Sequence, residues 1–541
     1  MGSHAVDDDP AQAVEAIKVA IVGAGAAGLF TGMIFDHLNA TVPNFKVEYD
    51  ILEAAPKERA GGRLFTHLFS EEPHDYFDVG AMGFPENPVM DRNDDKDAGH
   101  REPWCFNNVT KWGNSDVIRA QAEDQESFNL NREGKIPKNL MNENPADIMD
   151  YLTEDIRSKL RTDLEGLEFK DAGWKELMRQ YDSMSTRDFL RLGTHPEKFK
   201  DGSNMGPFNH NTVEWMEIFN GGTNWYDQAH SETVLESLDF HYKDNIPWWC
   251  IVGGDQQLAR AMETSLLRKP TYDSRVTAIE ATGRTTMAVK ANNGAPTTYA
   301  GVFSSVPLGC LKQIDTSQAG LNYATRQAIR SLGYGAAAKV GMKFKKAWWI
   351  HDLGNYNIKK GGLGHSDLSI RTCVYPSYNY EDDADKSAVL LCSYTWQQDA
   401  QRMAAFISPD SPEKEDQLKE LIFRDLARLH NEAMSEDACY NLIKGNYESH
   451  YAYDWYHDPN ALGAFAFFRP GQFSSMWNKM IQPSGNLVII GEAASPTSCL
   501  GGWGVGECGS WCVHLASYES QDDSGCSKSH KSLGEQRKSP V

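Results

Sequence analysis

Three glycines near the start of the chain have the spacing of a phosphate-binding turn. Gly23, Gly25 and Gly28 follow the apolar run Ile17–Val22 and precede a helical pattern. The first glycine permits a tight bend, the second lets the backbone approach a pyrophosphate, and the third lets the helix pack against the strand. The helix N-terminus then offers N–H donors and a partial positive charge to phosphate groups.

A carboxylate follows at the end of the next strand. Val47–Glu53 has strand character, so the pattern is strand, glycine turn, helix and strand. A carboxylate at this place accepts hydrogen bonds from the ribose hydroxyls of an adenine dinucleotide. Glu48 and Asp50 compete for the role, but only Glu53 closes the strand. A tight turn without a ligand is the alternative interpretation of the glycines.

Two later motifs also suit an anionic cofactor. Gly62 and Arg63 end the motif Glu-Arg-Ala-Gly-Gly-Arg, which brings a cation to a diphosphate and favours FAD over NAD. Gly491 and Glu492 follow the apolar strand at 486–490, and a glycine-rich turn follows at 501–507. Such a turn presents backbone N–H groups to a flavin ring. A basic surface turn and a second structural turn are the alternatives.

The elements around these motifs predict an α/β protein, α+β overall. A Rossmann-like FAD-binding domain is expected to combine with a β-sheet substrate domain and an inserted helical region. Within the insertion, 174–192 is expected to be one helical segment. The predicted ranges are 15–85, 247–325 and 480–518 for the FAD-binding domain, 86–110 and 326–479 for the substrate domain, 111–246 for the insertion, and 1–14 and 519–541 for flexible tails.

Composition and charge limit the classes of molecule that the protein is expected to bind. The 541 residues carry a formal charge of −22, which disfavours nucleic acid and anionic membranes because both are polyanions. No apolar run approaches the roughly 18 residues of a spanning helix. No cysteine or histidine cluster has zinc spacing, so we expect no metal. A secreted and a soluble cytoplasmic location both stay open.

Taken together, the motifs resemble the FAD-dependent amine oxidase superfamily. Within it the chain is most similar to the L-amino-acid oxidase branch, including fungal L-lysine α-oxidase-like enzymes, from about residue 16 to 517. The resemblance implies FAD as cofactor and a small amino acid or amine plus O2 as substrates. It implies hydride transfer to flavin N5, giving a 2-oxo acid, ammonia and H2O2. It also implies a homo-oligomer, namely a dimer.

The resemblance also assigns cofactor-binding residues. Besides the glycine turn, Glu53, Gly62 and Arg63, the residues that match positions around the flavin are Gly80, Ala81 and Met82 under the isoalloxazine, Val276 at the adenine, Gly491 and Glu492 at the diphosphate or ribityl chain, and Gly504 and Val505 at the pyrimidine end.

Three residues match catalytic positions of the family. Lys339 matches the lysine that holds a water near flavin N5 and is tied to oxygen chemistry. Trp396 and Trp503 match aromatic walls of the substrate site, where they exclude water and hold the substrate against the ring. A surface lysine and a core tryptophan are the alternatives for Lys339 and Trp396.

One position departs from the branch. L-Amino-acid oxidases usually carry an arginine that clamps the substrate carboxylate where this chain has Gly83. Arg469 is a candidate replacement, although an arginine before proline could simply face solvent, and Ala466 is a further substrate-side candidate. The alternative substrates are amines without a free α-carboxylate. Alternative reactions on this scaffold are amino-acid monooxygenation, desaturation and isomerisation.

Overall fold

A computed structural model describes residues 16–85, 101–103, 136, 140, 145–165, 171–193, 195, 198, 202, 204–219, 223–240, 248–359 and 361–495. Its strands in chain order are β1 Ile17–Val22, β2 Val47–Leu52, β3 Thr66–Leu68, β4 Tyr76–Asp78, β5 Phe84–Pro85, β6 Arg101–Pro103, β7 Trp248–Ile251, β8 Val276–Ala281, β9 Met287–Ala291, β10 Thr297–Tyr299, β11 Gly301–Ser304, β12 Gly333–Gly335, β13 Ala337–Phe344, β14 Gly362–His365, β15 Thr372–Tyr375, β16 Ala388–Trp396, β17 Tyr447–Asp454, β18 Phe465–Phe467 and β19 Leu487–Ile489.

Fourteen α-helices lie in the described residues. The α-helices are Ala26–Thr41, Pro145–Glu165, Ala172–Gln180, Thr186–Leu192, His210–Phe219, His230–Phe240, Gln256–Ser265, Leu308–Leu311, Tyr323–Ser331, Trp348–His351, Gln397–Ala404, Pro412–Leu429, Glu436–Asn446 and Asn478–Met480. Short 3₁₀ turns include Lys57–Arg59, Trp225–Asp227 and Glu492–Ala494, and a π-helical turn covers Phe473–Trp477.

A parallel sheet of order β19-β11-β1-β2 carries the glycine turn. β1 has the predicted bounds and pairs in parallel with β2, Ile17 opposite Val47. Its residues Ala20 and Ile21 are fully buried, as expected for a parallel strand covered on both faces. The helix Ala26–Thr41 returns the chain between β1 and β2. The predicted Rossmann-like α/β fold is confirmed.

A second, antiparallel sheet of order β14-β15-β16-β13-β17 positions Lys339. On β13, Lys339 lies opposite Tyr394 of β16 and Tyr453 of β17. Because side chains alternate across a strand, the other face of β13 presents Ala338 and Val340. That face packs on the helices Gln397–Ala404 and Pro412–Leu429, while the Lys339 face meets an aromatic core that includes Phe65, Phe77 and Trp455.

The region between β6 and β7 is mainly helical where it is described, but one predicted segment is wrong. Residues 174–192 form two helices, Ala172–Gln180 and Thr186–Leu192, rather than one. The Ser185 side chain accepts a hydrogen bond from the Asp188 backbone N–H and so starts the second helix. The domain boundaries drawn from the sequence stay a prediction. No helix in the described ranges combines the length and the apolarity that a membrane crossing requires.

Candidate active site

The glycine turn opens toward a cleft. Gly23 has φ +100°, and a Cβ on Gly28 would lie 2.0 Å from the Gly23 carbonyl oxygen, so neither position accepts a side chain without rearrangement. At Gly25 the nearest atom to a Cβ is 3.9 Å away, the carbonyl oxygen of Gly61. Gly23 and Gly28 are therefore required for close packing within the turn, and Gly25 leaves its backbone accessible from the cleft.

Glu53 lies at the same end of the sheet. Its Oε2 accepts a hydrogen bond from Ala24 N at 2.6 Å and its Oε1 accepts one from Ala55 N at 2.8 Å. The competing Asp50 forms a salt bridge with Lys18 at 2.7 Å and accepts from the Tyr299 hydroxyl at 3.0 Å. The Glu53 carboxylate therefore faces the glycine turn, whereas Asp50 is engaged elsewhere.

Arg63 and Glu492 meet in the cleft. Arg63 Nη1 lies 2.7 Å from Glu492 Oε2 and also donates to the Ala464 carbonyl at 3.0 Å. Burial raises the pKa of Glu492, and the positive charge of Arg63 offsets this only in part. Burial alone would lower the pKa of Arg63, but the Glu492 charge raises it above its usual value.

One cleft, with an empty volume of about 1260 Å³ including its solvent-open part, joins most of the predicted cofactor residues. They are Gly23, Gly25, Glu53, Gly62, Arg63, Val276, Gly491 and Glu492. The sequence analysis missed Arg59, Arg275 and Asp458, which also line this cleft. Two of them had an available signal, since Arg59 lies in the same glycine-arginine motif as Arg63 and Arg275 directly precedes Val276. Asp458 had none.

Segment 80–83 runs beside residues 63–65. Gly80 N and Ala81 N donate to the carbonyls of Phe65 and Arg63 at 3.1 and 3.3 Å. A Cβ on Gly80 would lie 1.7 Å from the Arg63 carbonyl oxygen, so only glycine permits this approach. Met82 packs against the aromatic core. Gly83 is buried and has φ +109°, a conformation that glycine adopts without strain.

Lys339 is a buried ammonium next to this segment, so the surface-lysine alternative is wrong. Only 2% of the residue is exposed, and Nζ donates to the carbonyls of Asp78 at 2.9 Å and Gly80 at 2.6 Å. The ammonium also lies 4.6 Å from the centre of the Tyr394 ring. Burial lowers the pKa of Lys339 to about 8, although the charges of Asp78 and Asp255 oppose that shift.

Trp396 belongs to an aromatic cluster on the same face of the sheet. Its ring centre is 4.9 Å from that of Trp225, 5.3 Å from Tyr394 and 5.7 Å from Phe465. Trp225 comes from the helical region, and no motif in the sequence identified it. Trp396 itself is half-buried.

The two substrate-side candidates differ in exposure. Ala466 is fully buried, and its backbone N–H donates to Glu492 Oε1 at 2.6 Å. Arg469 is exposed, with its guanidinium 5.6 Å from the centre of the Phe467 ring. That exposure fits the alternative in which Arg469 faces solvent. Trp503, Gly504 and Val505 lie outside the described residues.

Comparison with known proteins identifies the family. The family model described as flavin containing amine oxidoreductase matches residues 44–502. The chain belongs to this family. This amine oxidoreductase is 31% identical over 514 residues to L-amino-acid oxidase 4 of Hebeloma cylindrosporum, covering 88% of this chain and 78% of the relative. It is 23% identical over 489 residues to a tryptophan 2-monooxygenase of Pseudomonas savastanoi, covering 84% of this chain and 80% of that relative.

A solved structure has the same fold. A putrescine oxidase variant with redesigned cofactor binding superposes with a TM-score of 0.61 at 17% identity, covering 92% of this amine oxidoreductase and 99% of the other chain. Membership of this family means that the protein is an oxidoreductase with FAD as its cofactor. The residues present fit FAD, since the cleft combines an open glycine turn, a carboxylate beside it and the Arg63 cation.

Proposed function

We propose that this enzyme oxidatively deaminates an L-amino acid, producing a 2-oxo acid, ammonia and H2O2. The observation that carries the proposal is Lys339, a buried ammonium held by the Asp78 and Gly80 carbonyls beside an aromatic cluster. The L-amino-acid oxidase of Hebeloma cylindrosporum supports the substrate class.

The cleft suggests how FAD is held. We assign the glycine turn and Arg63 to the diphosphate, Glu53 to the adenosine ribose, and Val276 to the adenine. Glu492 keeps Arg63 in place at the diphosphate or ribityl end. Segment 80–82 would hold the isoalloxazine in this proposal, and Lys339, which bonds to the Gly80 carbonyl, would then act beside the ring. Gly504 and Val505 are assigned to the pyrimidine end from the sequence alone.

When bound, FAD accepts a hydride from the substrate Cα and passes the electrons to O2. The protein residues supply the environment for that exchange. Trp396, with Trp225 and Phe465, excludes water and presses the substrate against the ring. Exclusion of water also lowers the pKa of the substrate ammonium, so the amine is neutral when the hydride leaves. Lys339 offers a fixed positive charge near the site of oxygen reduction. Trp503 is assigned to the substrate site from the sequence alone.

A second candidate substrate is an amine without an α-carboxylate. The geometry of residue 83 favours it, since φ +109° excludes a relaxed arginine at that position. A buried carboxylate without a cation is costly, so an amino acid needs another partner for its carboxylate. Arg469 stays a hypothesis for that partner.

Paired substrates test the two candidates. The oxidised enzyme is mixed anaerobically with lysine or cadaverine, and with phenylalanine or phenethylamine, while the flavin absorption is followed. Bleaching by the amino acids alone supports the proposal, and bleaching by the amines alone supports the second candidate. Product analysis then checks the reaction, because an amide with CO2 in place of a keto acid with H2O2 would indicate monooxygenation.

Arg469→Ala tests the carboxylate hypothesis separately. If Arg469 binds the carboxylate, KM rises far more for an amino acid than for the matching amine. An equal effect on both substrates contradicts that role.

A further inference from the structure

Two buried carboxyl groups lie side by side near Lys339. Asp78 ends β4, and Asp255 immediately precedes the helix Gln256–Ser265. They are 7% and 0% exposed, and the Asp255 backbone N–H donates to Asp78 Oδ1 at 2.8 Å. Two neighbouring carboxylates in a dry site repel each other, so one of them is favoured in its protonated form.

The surroundings of the two carboxyl groups are unequal. Asp78 Oδ1 accepts hydrogen bonds from both the Thr66 hydroxyl, at 2.6 Å, and the Asp255 backbone. The backbones of Gly83 and Ile251 approach the Asp255 carboxyl group. No donor among the described residues, however, reaches either of its oxygens with hydrogen-bond geometry. Because an ionised carboxylate needs donors when buried, the negative charge is better placed on Asp78.

Lys339 is the cation next to this pair. Its ammonium bonds to two backbone carbonyls, and the charged groups that act on it are the carboxyls of Asp78 and Asp255. From the neighbouring strands it faces the ring of Tyr394 and lies in register with Tyr453, whose hydroxyl donates to Asp458. Neither tyrosine supplies a negative charge at neutral pH, so the carboxyl pair is the counter-ion.

We propose that Asp78 and Asp255 carry one proton and one negative charge between them, and that this shared charge keeps the Lys339 ammonium protonated beside Gly80. Both aspartates are positioning residues that act through Lys339. The pair is redundant. With Asp255 replaced by a neutral amide, Asp78 keeps the charge. With Asp78 replaced, the repulsion that opposes ionisation of Asp255 is gone, and the Lys339 charge and the backbones of Gly83 and Ile251 favour the ionised form. At neutral pH the three groups then have no net charge, which makes their joint burial tolerable.

The ionisation of the three groups agrees with this arrangement. Burial raises the pKa of Asp78 to about 6, partly offset by its two donors. Burial and the charge of Asp78 raise the pKa of Asp255 well above its usual range. Burial lowers the pKa of Lys339 to about 8. The neutral cluster is therefore expected between about pH 6 and pH 8.

Infrared difference spectra test the shared proton on the holoenzyme without substrate. At pH 7 the wild type is expected to show a protonated carboxyl band that is absent from both Asp255→Asn and Asp78→Asn, since Asp255 takes the charge in the second variant. Asp75→Asn is the matched control, because Asp75 pairs with Lys343 on the same strand as Lys339 and is expected to leave the band unchanged. A band that survives in Asp255→Asn overturns the proposal.

The counter-ion role is tested by the pH dependence of O2 reduction, and this step rests on the proposed function of Lys339. Enzyme reduced by light rather than by substrate is mixed with O2 at several pH values. Each single Asn variant is expected to keep the wild-type apparent pKa, whereas the double variant lowers it by about one unit or more, a tenfold loss of proton affinity. If the apparent pKa of a single variant falls as far as that of the double variant, the proposal of a shared charge is overturned. A wild-type rate that does not vary with pH would contradict only the proposed role of Lys339 in O2 reduction. The infrared test of the shared proton does not depend on that role.

Discussion

Arg63 and Glu492 join two motifs from opposite ends of the chain in one largely buried ion pair, with 2.7 Å between Nη1 and Oε2. Their side chains are 15% and 5% exposed. Glu492 also accepts from the backbone of Ala466, and Arg63 donates to Ala464. The pair therefore fixes β18 against the cleft wall as well as placing a cation in the cleft.

Replacing Arg63 is expected to cost both stability and cofactor. Arg63→Ala leaves the Glu492 carboxylate buried without a cation, which typically costs about 3–5 kcal/mol. Denaturant unfolding and the amount of FAD retained after gel filtration measure the two effects. The control is Arg268→Ala, which removes exposed pairs with Glu48 and Asp50 and is expected to cost about 0–1 kcal/mol with full FAD retention.

Glu53 gives a sharper test of cofactor binding. Glu53→Ala removes the acceptor of the Ala24 and Ala55 backbone N–H groups together with the proposed ribose contact. Hydrogen bonds to a charged group contribute about 1.5–3 kcal/mol, so the Kd for FAD is expected to rise by about 10- to 100-fold. FAD titration of the apoenzyme by fluorescence measures this. Asp50→Asn, on the strand that ends just before Glu53, should leave the Kd unchanged. An equal rise in that variant would mean that the ribose contact is not made by Glu53.

These two tests concern residues that the sequence could identify, since their signals are local. Short stretches of neighbouring residues identify β1, the glycine turn and the carboxylate of Glu53. The structure keeps their order, although β2 ends at Leu52, one residue earlier than predicted. The Asp78–Asp255 contact and the place of Trp225 against Trp396 have no such signal. They depend on how separate segments pack, and each residue alone looks like an ordinary acidic or aromatic residue.

Lys339→Met is expected to separate the two halves of the reaction. Loss of the buried positive charge should slow oxidation of the reduced enzyme by about 100-fold or more, the usual effect of removing one electrostatic group from an active site. Anaerobic reduction by substrate should change little. Stopped-flow absorption follows both steps. Lys343→Met, on the same strand but paired with Asp75, is the control; a matching loss there would point to damage to the sheet.

Three buried histidines predict a loss of stability in acid. Burial lowers the pKa of His230 to about 3 and those of His365 and His430 to about 4. Unfolded histidine titrates near 6.5, so between about pH 6.5 and pH 4 the unfolded chain binds more protons than the folded one. Stability is therefore fully present above that window and is lost as the pH falls through it.

His430→Gln isolates one contribution to this loss. His430 Nδ1 bonds to the Leu426 carbonyl at 2.7 Å, so Nε2 is the acceptor for the Tyr375 hydroxyl at 2.7 Å. Each such histidine contributes up to about 1.4 kcal/mol per pH unit within the window. The variant should lower stability at pH 7 yet show a shallower decline below pH 6.5 in denaturant unfolding. An unchanged slope would mean that the pKa of His430 is the same in the folded and the unfolded protein.

Gly83→Arg is expected to fail as a repair of the missing carboxylate clamp. Residue 83 is buried with φ +109°, and a side chain there costs about 1–2 kcal/mol in backbone strain alone. The variant should therefore unfold earlier without gaining preference for amino acids over amines, as judged by kcat/KM for lysine against cadaverine. Gly445→Ala is the control, since no atom lies within 4 Å of its added Cβ and an alanine inside the helix Glu436–Asn446 should stabilise the protein by about 0.5–1 kcal/mol. A stable Gly83→Arg enzyme that prefers lysine would show that segment 80–83 can adopt a second conformation, and that the substrate carboxylate belongs beside residue 83 after all.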